Sequence, residues 1–401
     1  MNLRAGFPFP LIKNGLPFDY PKLEYSLNTD VLILGGGISG ALVAYHLIEA
    51  GIDCTVVDAR SIGLGSTCAS TSLLQYEIDV PLCELKNKVG LHNAVRSYHL
   101  CAESIEKLGA IAKHIGFNDF EYKKSLYYAA FKKDVSFLKN EYEIRNENGF
   151  KVKYLEQEDV LDQFGFTAPS AILSEHGAQT NAYAFTHALH QYSIKKGLKV
   201  YDRSPIVKID HQKSGVKLKT ENGCNILAKK LVYATGYEAI HFIDKKIVDL
   251  KSTYATCSEQ FSSDKQFWED EVMIWNTADP YLYMRTTKDR RILVGGRDEQ
   301  FYNPKKRDGL ILKKSKQLVK DFNKVFPDID FKPEFNWTGV FGSTMDGLPF
   351  IGRYPKLPNG LFALGFGGNG ITFSLIAAEI LVDLIQGKNN ADAQIFTFER
   401  V

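Results

Sequence analysis

Apolar positions in this chain change rhythm most sharply across Asp30–Asp58, DVLILGGGISGALVAYHLIEAGIDCTVVD. Asp30–Leu34 is an apolar run of strand length, a pattern of helical period follows and stops at Gly51, and Cys54–Val57 is a second buried run. Between the first strand and the helix stands Gly35-x-Gly37-x-x-Gly40, and Asp58 ends the second strand 18 residues past Gly40. Strand, glycine turn, helix, strand and acid in register predict a βαβ unit that binds a dinucleotide. Gly35 permits the tight turn, Gly37 lets the backbone approach a pyrophosphate, Gly40 lets helix pack on strand, and Asp58 accepts a hydrogen bond from ribose. The helix start, with Ile38 and Ser39, turns unpaired N–H groups and a positive dipole end toward phosphate.

The rhythm elsewhere predicts the rest of the chain in outline. Residues 1–29 carry Phe7, Phe9, Phe18 and Tyr20 without regular period, which predicts an extended arm laid on the domain. Ile62–Leu82 is rich in small hydroxylated residues and reads as a loop that holds phosphate and ring edges, with Ser66 and Thr67 nearest the pyrophosphate. Helical patterns run over Asn87–Ile115, Val135–Asn148 and Ala182–Lys196; Phe120–Phe131 alternates like strands. Short strands follow at Leu198–Tyr201 and Pro205–Asp210, a hairpin turns at Glu221-Asn222-Gly223, and Lys230–Ala234 runs into Ala234-Thr235-Gly236, a second approach of chain to the nucleotide. Residues 246–334 are aromatic and β-branched strands joined by Asp-, Lys- and Gly-rich turns, an antiparallel sheet suited to substrate.

Composition narrows the function. At 401 residues the chain exceeds the ~250–300 residues of a single core, so two domains are expected. With 49 Lys+Arg against 47 Asp+Glu, the net charge of +2 excludes a strongly basic nucleic-acid binder. The 6 cysteines show no Cys-x-x-Cys pair, which fits reduced thiols in a cytoplasmic enzyme, and the 9 histidines show no metal-ligand spacing. His187 and His190 read as structural. No signal-peptide core appears, and the longest apolar stretch, Ile371–Ile385, is interrupted by Glu379 and Asp383, short of a spanning helix.

Taken together, GGGISGALVAYHL with Asp58, GSTCASTSLL, YATGYEA, YLYMRTTKDRRILVGGRDE and the C-terminal pair GVFGSTMDGLPFIGRYP and GLFALGFGGNGITFSLIAAEILVDLI resemble the D-amino-acid-oxidase-like FAD-dependent oxidoreductases, a family that includes glycine, sarcosine and γ-glutamylputrescine oxidases. The resemblance covers nearly the whole chain and implies an α/β plus antiparallel β fold. In it a discontinuous, Rossmann-like FAD-binding domain (1–110, 165–245 and 335–401) joins a substrate domain (111–164 and 246–334). It implies noncovalent FAD held by Gly35, Gly37, Ile38, Ser39, Gly40, Asp58, Ala59, Arg60, Ser66 and Thr67. Val207 would meet the adenine through its backbone, and Thr71, Ser72, Leu73, Ala234, Thr235, Gly236 and Gly342 would border the cofactor. Gly367, Gly368, Asn369, Gly370, Ile371 and Thr372 would open the last helix toward the flavin pyrimidine, where its N–H groups can stabilise charge arriving on reduction.

The resemblance also implies oxidation of a C–N bond of a small amine or amino acid by hydride transfer to flavin N5, with oxygen or a partner protein or quinone as acceptor. Tyr281 matches a substrate-contacting tyrosine; Arg285, Arg297, Asp298 and Gln75 are the other candidates at the substrate. Phe341 stands where amino-acid-oxidising relatives place a carboxylate-clamping arginine. Leu293 stands where sarcosine-oxidase-like members carry a lysine associated with oxygen, and Gly339 where they carry a flavin-bonding cysteine. Two rival readings are a 2-hydroxyacid or polyol-phosphate dehydrogenase using Arg285 or Arg297 as anion site, and an accessory flavoprotein subunit.

Overall fold

The structure is a computed structural model and describes residues 1–364 and 366–400. The expected βαβ unit forms the centre of an eight-stranded sheet. Strand Leu27–Leu34 pairs in parallel with Cys54–Val57 on one side and Asn225–Tyr233 on the other, and Lys199–Tyr201 extends the sheet beyond Cys54–Val57. Val31–Leu34 and Cys54–Val57 are buried on both faces, as their uninterrupted apolar sequence requires of parallel strands. Strand Asn225–Tyr233 divides its free edge: its first half takes the antiparallel hairpin of Gly215–Thr220 and Ile206–Gln212, and its last three residues pair in parallel with Gly360–Phe362. Helices Ile38–Glu49, Ala182–Ile194 and Gly370–Ile385 share the apolar core on one face with helix Leu91–His114.

Two sequence expectations change here. The long helical pattern is broken at Gly90, whose φ of +81° favours glycine, into helices Leu82–Val89 and Leu91–His114. Gly367–Ile385 is, at 19 residues, long and apolar enough to cross a membrane once its small glycine turn is counted, yet most of it lies buried inside the protein against the nucleotide-side helices. Its Glu379 reaches Lys107 at 2.8 Å on the rim of that packing.

The second sheet has nine strands, in the order Arg4–Gly6, Pro333–Ser343, Asp249–Ser258, Ile292–Glu299, Tyr283–Thr286, Met273–Asn276, Ser125–Tyr128, Ser170–Ser174 and Val152–Glu156. Every pairing is antiparallel except that of Met273–Asn276 with Ser125–Tyr128. Arg4–Gly6, Ser170–Ser174 and most of Pro333–Ser343, from residue 335 on, belong to this sheet although the expected borders put them with the nucleotide domain. Pro333–Ser343 pairs with Asp249–Ser258 along nearly its whole length, so its backbone groups are satisfied on this side. Within the arm, Phe9 and Tyr20 are buried as expected, but Phe7 and Phe18 are exposed.

Helix Ile311–Val325 packs on this sheet through Ser315, Leu318 and Phe322 and was not expected. Its spacing of three, then four, is the amphipathic signal that the surrounding lysines mask. A third, three-stranded sheet of Leu73–Gln75, Gly177–Thr180 and Phe120–Tyr122 carries the hydroxyl-rich segment away from the nucleotide turn.

Candidate active site

A cavity of about 480 Å³ runs from the glycine turn to the inner face of the nine-stranded sheet, within the ~300–1,000 Å³ usual for ligand sites. At one end lie Gly35, Gly37, Ile38 and Ser39, so the helix N-terminus opens on the cavity. The turn is held from below. Asp58 Oδ2 accepts the Gly36 N–H at 2.7 Å, Asp58 Oδ1 accepts the Arg60 N–H at 2.8 Å, and Thr67 Oγ1 accepts the Ile38 N–H at 3.1 Å. Burial pushes the Asp58 carboxyl up while the two backbone bonds oppose it. Gly40 sits beneath the turn rather than on the cavity, close against the Gly35 carbonyl.

Asp58, Ala59, Arg60, Ser66 and Thr67 continue the wall, with Ala234, Thr235 and Gly236 opposite in the sequence order expected. Arg60 is spent on a two-point ion pair with Glu238, at 2.7 and 3.2 Å. The hydroxyls of Ser66 and Thr235 are buried on this wall and have no partner among the described residues. Two orphaned hydroxyls beside a helix N-terminus are what an elongated, phosphate-bearing ligand would satisfy. Val207 falls outside: its side chain is exposed, while Ile206 and Ile209 reach the cavity from the same strand.

Farther along, Thr71, Ser72, Leu73 and Gln75 line the cavity together with Gly367, Gly368, Gly370 and Ile371. Asn369 and Thr372 do not line it; Asn369 Nδ2 donates to the carbonyls of Gln75 (3.1 Å) and Glu77 (2.7 Å), and Thr372 Oγ1 donates to the Asn369 carbonyl. They tie the last helix to the Leu73–Asp79 segment. Gly342 lies behind the wall against Val248 and Tyr237.

The far wall comes from the second sheet, with Tyr283, Asp298, Phe341, Trp337 and Gly339, and from Tyr281 just ahead of strand Tyr283–Thr286. Asp298 lines the cavity; its buried Oδ1 has no partner among the described residues, and burial, with the Asp79 charge and against a hydrogen bond from Thr253, raises its carboxyl to about 6. Asp79, which sequence reasoning missed, accepts the Gly368 N–H at 2.7 Å on Oδ2 and the Tyr281 hydroxyl at 3.4 Å on Oδ1. Its surface is open, yet protein crowds it at longer range, and that burial raises its carboxyl against both bonds. The Tyr281 phenol is held well above its usual range by burial and then by Asp79, and burial pushes Tyr283 up to about 12, so both are neutral donors.

Arg285 and Arg297, expected at the substrate, are elsewhere. The buried Arg285 guanidinium donates to the carbonyls of Thr71, Thr286 and Thr180, so it buttresses the wall from outside. Arg297 forms a two-point pair with Asp321 at 2.6 Å and does not line the cavity. Leu293 is wholly buried in a core cluster with Trp337 and Cys257.

His190 and His187 are structural in a way that bears on the site. His190 Nε2 donates to the Gly36 carbonyl at 3.1 Å beneath the nucleotide turn, and His187 bonds Tyr20. Burial lowers both from the usual 6.5 to about 4. A depressed imidazole contributes stability that is complete above pH 6.5 and lost as pH falls toward 4, because the unfolded chain binds the proton first. For the fully buried His190 the loss is roughly 3 kcal/mol. Thermal unfolding followed from pH 8 to pH 4.5 should show the decline, and His190→Gln should flatten it.

Comparison with known proteins agrees with this geometry. The chain is 25% identical to a γ-glutamylputrescine oxidoreductase of Escherichia coli over 389 residues, covering 92% of this chain and 86% of the relative. It is 22% identical to a glycine oxidase of Bacillus subtilis, covering 90% and 93%. Among solved structures, an L-proline dehydrogenase from P. horikoshii superposes with a TM-score of 0.77 at 20% identity over 94% of this chain and 99% of that one. A glycine oxidase from Geobacillus kaustophilus gives 0.75 at 19% over 91% and 96%; these likenesses show the fold. The family profile described as FAD dependent oxidoreductase matches residues 30–384, and the chain belongs to this DAO family of FAD-dependent oxidoreductases.

Proposed function

We propose that the protein oxidises the C–N bond of a small amine or amino acid with noncovalently held FAD. The observation that carries this reading is one cavity joining the helix N-terminus at Gly37–Ser39 to a wall of tyrosines and the Asp298 carboxyl on the side of the second sheet. The names of the relatives, a γ-glutamylputrescine oxidoreductase and a glycine oxidase, support a nitrogen donor. Bound FAD would supply the two-electron acceptor for hydride, leaving an imine that water hydrolyses.

The chain's own groups do the remaining work. Gly35, Gly37 and the first turn of Ile38–Glu49 would take the pyrophosphate, Ser66 and Thr235 would donate their free hydroxyls to the cofactor, and Asp58 would take ribose. The segments Thr71–Leu73 and Gly367–Ile371 would border the ring. The Asp298 carboxyl, raised to about 6 on the cavity wall, can accept the proton that an ammonium must lose before its carbon gives up hydride. Tyr281 and Tyr283 keep the wall apolar and orient the donor. A hydroxyacid donor would need a free cationic group, and the arginines considered for that role are spent on Asp321 and on backbone carbonyls. Six free cysteines agree with the cytoplasm as its compartment.

Anaerobic addition of amines, amino acids and hydroxyacids to the FAD-loaded protein should bleach the flavin absorbance with nitrogen donors only. Fast recovery in air would identify an oxidase and slow recovery a dehydrogenase with a partner acceptor. A protein that cannot be loaded with FAD would overturn the reading, and loaded protein bleached by no donor would make it an accessory flavoprotein.

A further inference from the structure

We propose that the donor is recognised as a cationic amine by Asp298 and Asp79 and needs no carboxylate, so the substrate class is alkyl or arylalkyl amines rather than α-amino acids. This rests on the C–N reading above and narrows it.

The charged groups that reach this end of the cavity are few. Asp79 and Asp298 feel each other, and Tyr281 lies in the field of both. The cations that act most strongly on Asp298 are Lys251 and Lys314. Lys314 is committed to Glu299 at 2.5 Å and to the Arg297 carbonyl at 2.9 Å. Lys251 stands alone against two carboxylates, with its ammonium 5.8 Å from the Phe341 ring. Two carboxyls that face a single uncommitted cation favour an ammonium, which would hold them in their charged form, over a zwitterion, which brings a further carboxylate.

The donor capacity tells the same story. A substrate carboxylate wants a guanidinium fork or several N–H groups. Arg60 is paired with Glu238, Arg285 with backbone carbonyls and Arg297 with Asp321. Phe341 offers only an aromatic face. The Gly368 N–H, which could have met an anion, is already taken by Asp79. What the wall offers instead is the Asp298 carboxyl, whose buried Oδ1 has no partner among the described residues, and beside it the exposed carboxyl of Asp79, bonded to the cavity-lining Gly368 and Tyr281, next to the rings of Tyr281, Tyr283 and Phe341 that attract cations. Tyr281 and Tyr283 lie 5.7 Å apart, and Trp275 stands edge-on behind Tyr281, so this aromatic wall is braced.

The test uses a matched pair of inert probes on FAD-loaded protein: tert-butylammonium and pivalate have one shape and opposite charge, and neither can be oxidised at the bound carbon. By titration calorimetry, tert-butylammonium should bind at least about tenfold more tightly than pivalate, a gap of about 1.4 kcal/mol. Asp298→Asn should weaken the ammonium at least about tenfold. Lys251→Met, which removes the opposing cation and leaves the carboxylates in place, should tighten it. Pivalate binding equally well or better, or ammonium binding that ignores both Asp298→Asn and Asp79→Asn, overturns the proposal. Flavin bleaching then separates the two levels. Butylamine or benzylamine should outpace glycine and sarcosine; bleaching by the amino acids alone sinks this inference and leaves the C–N reading standing, whereas no bleaching by any nitrogen donor sinks both.

Discussion

Arg145→Met is expected to destabilise the protein by about 3–5 kcal/mol, the range for removing one partner of a buried charge network. Arg145 and its partners Glu77 and Glu141 are all wholly inaccessible. The guanidinium reaches Glu141 at 2.6 Å and Glu77 at 3.3 Å, and the rings of Tyr76, Tyr98 and Tyr127 surround it within 6 Å. Glu141 in turn accepts the backbone N–H groups of Leu82 and Cys83, the first turn of Leu82–Val89, so it caps a helix as well as pairing a charge. Burial opposes the Arg145 charge, but Glu141 and the surrounding groups outweigh it and keep the guanidinium protonated; burial holds the Glu77 carboxyl above its usual range despite Arg145.

Methionine at 145 fills the volume and leaves two carboxyls without their cation. The loss should therefore be read from chemical denaturation, and adding Glu77→Gln to Arg145→Met should return part of it, since the residues act as one unit and their effects are not additive. A loss under about 1 kcal/mol would show that the network is already neutral in the folded state. FAD affinity should fall in the same variant. Glu77 lies between Gln75 and Asp79 on the segment that Asn369 clamps, so slack in the network passes to both the cavity floor and the last helix.

That segment also shows what could and could not be read from sequence. The βαβ unit was legible because strand, helix and glycine rhythm all lie within 30 consecutive residues and each has its own period. The antiparallel character of 246–334 was legible from its aromatic and β-branched runs. Asp79 was not, since nothing local marks it: its partners Tyr281 and Gly368 stand 202 and 289 residues away. Arg285 and Arg297 misled for the converse reason. An arginine near a cavity in sequence is equally suited to bracing a wall, and only the geometry shows Arg285 turned toward three carbonyls. The arm was legible as an extended segment, but its strand was not, because Arg4–Gly6 gains its strand character by pairing with Trp337–Gly339.

Gly40→Ala is expected to cost FAD affinity about tenfold to a hundredfold and stability about 1–3 kcal/mol, the penalty of overpacking a tight contact. A Cβ at Gly40 would stand 1.9 Å from the Gly35 carbonyl oxygen, which is backbone and cannot swing aside. The helix must lift or the turn must open, and either moves the N–H groups that meet phosphate. Lifting is resisted from above, because Ile38–Glu49 packs against both Gly370–Ile385 and Ala182–Ile194, and Ser39 Oγ is hydrogen-bonded to Ser374 Oγ at 2.7 Å. Gly37→Ala is the informative comparison. Its Cβ would meet Thr67 Oγ1 at 2.8 Å, a side chain that can rotate at the expense of its bond to the Ile38 N–H, so the fold should tolerate it better. Fluorescence titration with FAD and thermal unfolding of the apoproteins separate the two effects. If Gly40→Ala binds FAD as well as the parent, the strand-to-helix contact is looser than its geometry states; if Gly37→Ala loses FAD while unfolding normally, the cofactor itself approaches the backbone there and leaves no room for a methyl group.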